Sequence, residues 1–147
     1  MTTRALPLAL FAIFASLPLQ AAEPWTAQEL IQPAGLAKRL TTGDKPLMIF
    51  IGPAYLYRAK HITGSLDAGP ASKPEGIEGL MKLVKGKPPA TEIILYCGCC
   101  PMNVCPNIRP AVKALKEAGF KTVRLLEIPN RLAADWTDKG YPVESAR

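Results

Sequence analysis

The stretch Glu92-Ile93-Ile94-Leu95-Tyr96-Cys97-Gly98-Cys99-Cys100-Pro101-Met102-Asn103-Val104-Cys105-Pro106 decides the reading of this chain. After Glu92 its next four residues form a continuous apolar run, the pattern of a strand buried on both faces. The run ends directly in Cys97. A cysteine-rich loop comes next, and Pro106 is suited to the first turn of a helix running to Ala118, closed by Gly119. The order is strand, loop, helix start, with four cysteines in the loop.

On either side the same alternation recurs. Trp25 to Ile31 is a lead-in that ends in a strand. Pro33 to Leu40 has Leu36 and Leu40 on one helical face. Leu47 to Ile51 is a second apolar strand, stopped by Gly52-Pro53. A helical turn is expected through Tyr55 and Tyr57 towards His61. Gly64, Gly69, Pro70 and Pro74 keep the next stretch irregular. Glu75 to Lys85 is amphipathic, with Ile77, Leu80, Met81 and Val84 on one side. Lys121 to Leu126 is a third strand, and Leu132 to Lys139 a short helix ended by Gly140. Strands alternating with helices predict an α/β fold, a parallel sheet flanked by helices on both faces. Ligands in such sheets sit beyond the carboxyl ends of the strands, where Cys97 lies.

The chain of 147 residues suits one domain. Apolar residues make up 48% and charged residues 20%, enough to build a core. The net charge of +6 is spread over Lys38/Arg39, Lys82/Lys85/Lys87 and Lys113/Lys116, which read as solvated helix faces. No nucleic-acid partner is expected.

Residues 1–22 read as a signal peptide. Met1 to Arg4 give a positive start, Leu6 to Leu19 are uncharged and apolar, and Gln20-Ala21-Ala22 offers small residues for cleavage. The apolar stretch falls short of the ~20 residues of a spanning helix and contains Pro7 and Pro18. The expectation is a periplasmic or secreted protein, with no membrane contact after cleavage and residues 23–147 as its domain. Export makes disulfides permissible. Yet the four cysteines cluster in one loop, where disulfides would close almost no chain, so reactivity or metal binding is the better reading. A helix start favours an anion such as a thiolate or persulfide. Cys99 and Cys100 are adjacent, with Cα atoms about 3.8 Å apart, too close for an unstrained disulfide of roughly 4.4–6.8 Å. Cys97 and Cys100 form a C-x-x-C pair that closes more easily.

Almost the whole mature chain resembles the rhodanese-like domain family. Ile31-Gln32-Pro33 is similar to the family's entry, and His61-Ile62-Thr63-Gly64-Ser65 to its G-H-I-P-G-A motif, with Lys60 for the first Gly. Ile93 to Cys97 resembles the strand that carries the active cysteine. Leu115-Lys116-Glu117-Ala118-Gly119-Phe120 resembles the helix and turn after that strand. Trp136-Thr137-Asp138-Lys139-Gly140-Tyr141-Pro142-Val143 is similar to the family's usual ending. The resemblance implies a single rhodanese-like domain and a sulfurtransferase, in which Cys97 takes sulfane sulfur as a persulfide. Its loop is longer than the family's C-x-x-G-x-R turn and lacks the loop arginine. Arg109 lies later, inside the helix, and Cys105 sits nearer the helix start than Cys97 does. Phe50-Ile51-Gly52 replaces the family's Asp and Arg after the second strand, and Ile128-Pro129-Asn130 its two glycines.

The expected function is sulfane-sulfur handling at the Cys97–Cys105 loop, with Cys97, Cys105, Cys100 and Cys99 as the reacting residues and no cofactor. Its partners would be a small sulfur-containing anion or thiol acceptor, and a redox partner protein. Two alternatives stand. One is thiol–disulfide exchange through Cys97 and Cys100, as in thioredoxin-type motifs. The other is Cu(I) or Zn(II) binding by Cys97, Cys99, Cys100 and Cys105. His61 reads as a structural residue of its turn, and Trp25, Trp136 and Tyr141 as packing. Arg58 and Arg109 are candidate anion contacts.

Overall fold

The computed structural model describes residues 25–146, so the signal-peptide reading of 1–22 lies outside the described residues. Five strands form one parallel sheet: β1 (Leu30–Ile31), β2 (Leu47–Phe50), β4 (Leu66–Asp67), β5 (Glu92–Tyr96) and β6 (Thr122–Leu126), in the order β1-β6-β5-β2-β4. β5 is central and its register with β2 pairs Phe50 with Tyr96. The apolar runs become the middle of the sheet because only there are both faces covered. Ile93, Ile94 and Leu95 are fully buried.

Helices lie on both faces, as the alternation predicted. α3 (Pro74–Val84) and α4 (Ile108–Glu117) cover one, packing Leu80, Val84, Ile108, Ala111 and Leu115 against Ile49, Ile93 and Leu95. α1 (Pro33–Thr41) and the short α5 (Leu132–Asp135) cover the other, with Leu36, Leu132 and Trp136 against Met48, Phe50, Ile94 and Tyr96. On α4 the buried residues fall at Ile108, Ala111, Val112 and Leu115, the i, i+3, i+4, i+7 stripe of an amphipathic helix. Gly119, at φ +91°, ends that helix and turns the chain into β6. Each fully buried Leu or Ile contributes about 1.5–3 kcal/mol of apolar burial.

The structure departs from the sequence expectations at several points. α4 begins at Ile108, and Pro106 lies in the preceding turn. Leu132 to Lys139 is not one helix: Trp136 adopts φ −131°, ψ −62° and separates α5 from a 3-10 turn over Thr137–Lys139. That break lets the fully buried Trp136 enter the core while its indole N–H donates to the Pro142 carbonyl at 2.9 Å. The stretch expected to be irregular contains β4, a two-residue edge strand on β2. A separate antiparallel pair joins β3 (His61–Ile62) to β7 (Val143–Glu144). α2 (Ala54–Ala59) supplies the expected helical turn before it.

Arg39 is not a solvated charge. It pairs with Asp44 at 2.6 Å and Glu92 at 2.6 Å, and Arg124 joins Glu92 at 3.4 Å. The Arg39 guanidinium holds the Glu92 carboxyl below its ordinary pKa. This cluster lies at the start of β5, the end opposite Cys97. Among the described residues, no helix is long and apolar enough to cross a membrane.

Candidate functional site: a four-thiol loop

Side chains alternate across a strand, so Ile93, Leu95 and Cys97 fall on the α4 side of β5. The loop leaves that strand, passes through a 3-10 turn at Met102–Val104, and returns to the start of α4. Cys105 therefore comes back beneath the same face, and Cys97 and Cys105 are each only 4% exposed. Cys99 is exposed and Cys100 half-buried.

Cys97 Sγ lies 3.2 Å from Cys99 Sγ, and Cys99 Sγ lies 3.1 Å from Cys100 Sγ. The sulfurs of Cys97, Cys99 and Cys105 all lie within 4.8 Å of one another. All four cysteines are unbridged. The C-x-x-C spacing singled out Cys97 with Cys100, but Cys97 makes its sulfur contact with Cys99.

Asn107 organises the buried thiols, and the sequence reading did not single it out. Asn at a helix start usually caps the helix through its side chain. Here Asn107 makes no such bond. Its Oδ1 accepts the Ser72 backbone N–H at 2.9 Å, which fixes the amide orientation. Nδ2 then points at Cys97 Sγ (3.5 Å) and Cys105 Sγ (3.8 Å). The amide is 3% exposed, so these are its partners.

The thiols do not share one environment. Contact with Cys97, assisted by the Asn107 backbone N–H, lowers the Cys105 thiol to about 5 against the opposing effect of burial. The neighbouring Cys105 and burial push Cys97 up. Burial first, then the adjacent thiols, push Cys100 up to about 12. One negative charge is thus favoured within the buried pair, near the positive end of α4.

The surrounding wall is tight. A Cβ on Gly52 would stand 2.8 Å from Cys97 Sγ and 2.7 Å from Phe50 Cζ. One on Gly98 would stand 2.8 Å from Leu132 Cβ. The loop is tied to the chain after β6 by Met102 N–H to the Ile128 carbonyl at 2.9 Å. An open cleft of 300 Å³ adjoins the exposed thiols, lined by Cys99, Cys100, Pro101, Asn130 and Arg131. Arg131 also lines a 470 Å³ cavity with Lys60 and Gly98. Among the described residues it is the cation that lines the cleft with Cys99 and Cys100. Arg109 instead lies 6.0 Å from the Trp25 ring centroid, a cation–π contact. Arg58 lies exposed on α2. His61 is built into the fold as expected: Nδ1 contacts the Tyr57 carbonyl at 2.7 Å, Nε2 lies 3.3 Å from Glu144, and its ring stacks on Tyr57.

No protein-family model and no curated protein sequence matches the chain. Solved structures do. A rhodanese-like domain from Anabaena sp. is 22% identical, with 80% of this chain and 79% of that one covered and a TM-score of 0.57. A rhodanese-related protein from Thermoplasma volcanium is 16% identical, covering 79% and 97%, with a TM-score of 0.51. The thiosulfate sulfurtransferase of Pseudomonas aeruginosa is 16% identical with a TM-score of 0.59; 82% of this chain matches 21% of that longer one.

Proposed function

Starting from the rhodanese-like fold that these likenesses show, we propose that this protein is a sulfurtransferase that carries sulfane sulfur as a cysteine persulfide. One observation carries the reading: thiols from both ends of one loop meet between the carboxyl end of the central strand and the amino end of α4. That is where an anionic sulfur is best stabilised.

The chemistry balances without an external oxidant. A loop thiolate attacks the outer sulfur of an anion such as thiosulfate. A cysteine–sulfur bond forms, the donor's S–S bond breaks, and sulfite departs with the electron pair. A nucleophilic acceptor, cyanide or a thiolate, then takes the outer sulfur and the cysteine thiolate is restored. The donors of Asn107 converge on Cys105 and Cys97, which supports this pair as the carrier and one of its thiolates as the attacking group. Cys97 holds the position of the family's active cysteine. Arg131 would attract the anion into the cleft. Cys99, exposed and 3.2 Å from Cys97, is placed to receive the outer sulfur and pass it to a larger acceptor. Export completes the reading: after signal cleavage the domain would work in the periplasm or outside the cell.

The test is incubation of the reduced protein with thiosulfate, rapid desalting and intact-mass analysis, followed by cyanide. One added sulfur that cyanide removes as thiocyanate is expected, on Cys105 or Cys97 by peptide mapping. Absence of any added sulfur under reducing conditions refutes the proposal. A reversible disulfide as the sole product would transfer the assignment to thiol–disulfide exchange. Loss of residues 1–22 from protein recovered outside the cytoplasm tests export.

A further inference from the structure

We infer that the loop is also a binding site for one soft cation, Cu(I), held by the sulfurs of Cys97, Cys99 and Cys105. This does not rest on the sulfur-transfer reading, because it needs only the placement of three thiols.

The geometry comes first. These three sulfurs lie within 4.8 Å of one another, and the Cys97–Cys99 edge is 3.2 Å. A metal–thiolate bond of about 2.3 Å sets the sulfurs of a planar three-coordinate site roughly 4.0 Å apart. That value lies between the 3.2 Å edge and the 4.8 Å limit, so the three sulfurs already stand close to the spacing that an ion needs.

The donor set selects the ion. Only sulfur contributes: among the described residues, no His, Asp or Glu joins this group. The single histidine, His61, is engaged by Tyr57 and Glu144. Thiolates alone suit a soft ion. Cys100 Sγ lies 3.1 Å from Cys99 Sγ but falls outside the set whose sulfurs are all within 4.8 Å of one another. Structural Zn(II) almost always takes four ligands in a tetrahedron, whereas Cu(I), softer and singly charged, is satisfied by three thiolates.

The surroundings match such a site. Cys97 and Cys105 are 4% exposed, which keeps water from two sides of the ion. The Asn107 amide reaches both of their sulfurs, the kind of outer hydrogen bond that orients metal ligands. Cys99 is exposed and opens on the 300 Å³ cleft, which provides an entry path. Binding is a ligand exchange: Cu(I) arrives as Cu(I), bonds form to three thiolates, and the remaining thiol protons go to solvent. No electron is transferred.

The experiment uses the reduced, sulfur-free chain under anaerobic conditions. Cu(I) is added in the presence of bathocuproine disulfonate, a coloured chelator that competes for it. One Cu(I) per chain is expected to leave the chelator, with a new ultraviolet thiolate-to-copper absorption. Cys97→Ser, Cys99→Ser and Cys105→Ser should each weaken retention at least 100-fold, and Cys100→Ser less than 3-fold. Cys99 is exposed, so its variant tests the site without disturbing the core. Failure to withdraw copper from the chelator overturns the inference. So does tighter binding of Zn(II) in a parallel competition, or undiminished copper binding by Cys99→Ser. Thiosulfate loading of the same metal-free preparation reads the sulfur-transfer proposal separately, so either can fail alone.

Discussion

Gly52→Ala asks whether the wall behind Cys97 sets its chemistry. The added methyl would lie 2.8 Å from Cys97 Sγ and 2.7 Å from Phe50 Cζ. Ordinary contact between such atoms is about 3.5 Å or more, so both neighbours must give way, by roughly 0.7–0.8 Å. Phe50 is fully buried, with ring centroids 5.6 Å from Tyr57 and 5.3 Å from Tyr96. It has little room. The cheaper movement is that of the thiol, away from Gly52. Overpacking of this kind costs about 1–3 kcal/mol, and at about 4 °C per kcal/mol for a domain of this size Tm should fall by roughly 4–12 °C. Displacing a reacting atom by nearly 1 Å can cost about 100-fold in rate. Sulfur transfer from thiosulfate to cyanide, measured well below the new Tm, should fall about 10- to 100-fold. Gly35→Ala supplies the control, because a Cβ there meets nothing within 4 Å. Gly35 lies inside α1, where Ala is preferred over Gly by about 1 kcal/mol, so Tm should rise and transfer stay unchanged. A Gly52→Ala protein with lowered Tm and undiminished transfer would show that the placement of Cys97 does not matter to the chemistry.

Three further outcomes are expected. Asn107→Asp still accepts the Ser72 N–H but replaces the donor facing Cys97 and Cys105 with an acceptor. Losing a hydrogen bond to a charged group costs about 1.5–3 kcal/mol, so transfer should drop at least 10-fold; an unchanged rate would refute the role given to the amide. Arg131→Glu reverses the charge beside the cleft, and KM for thiosulfate should rise about 3- to 10-fold with kcat nearly constant, the effect shrinking at high salt; a salt-independent change, or one confined to kcat, would contradict an attraction through charge. His61→Gln removes a buried ring that stacks on Tyr57 and contacts Glu144, so Tm should fall by an amount equivalent to about 1–3 kcal/mol while transfer persists; a histidine needed for catalysis would give the opposite pattern.

The sheet was legible because its signals are local and redundant. Glu92 to Tyr96 is apolar almost throughout, and that pattern fits only a strand covered on both faces. The helix after the loop shows its apolar stripe in Ile108, Ala111, Val112 and Leu115. What escaped were contacts between distant segments. β4 is two residues long and exists because Ile49 and Phe50 offer a free edge to Leu66 and Asp67. The β3–β7 pair joins His61 to Glu144 across most of the chain, and nothing local announces it. The site divides in the same way. The four cysteines are visible as residues. Their partners, Asn107, Gly52, Gly98 and Arg131, become visible only when the loop folds back on the sheet. Asn107 carried a local signal, an Asn at a helix start, but that signal pointed to capping, and tertiary contact with Ser72 redirected the side chain.

The extra length of the loop has a structural consequence that a short turn could not produce. A short turn leaves one cysteine at the strand end and delivers the chain directly to the helix. Here the added residues make a 3-10 turn tied to Ile128, which sends Cys105 back under Cys97 on the α4 side of the sheet. Two thiols then share a walled compartment bounded by Gly52 and Asn107. The other two stand at its mouth, with Cys99 3.2 Å from Cys97 and open to the cleft. The inner pair governs what the loop can hold, since buried sulfur at a helix start favours a single bound charge or ion. The mouth governs exchange with larger acceptors, since a bulky partner reaches only an exposed thiol. The sulfur transfer and copper binding proposed above would be two uses of that one division, in competition for the same sulfurs. A persulfidated Cys97 cannot close a three-sulfur site in its present geometry, and a copper-bound Cys105 is no longer a nucleophile.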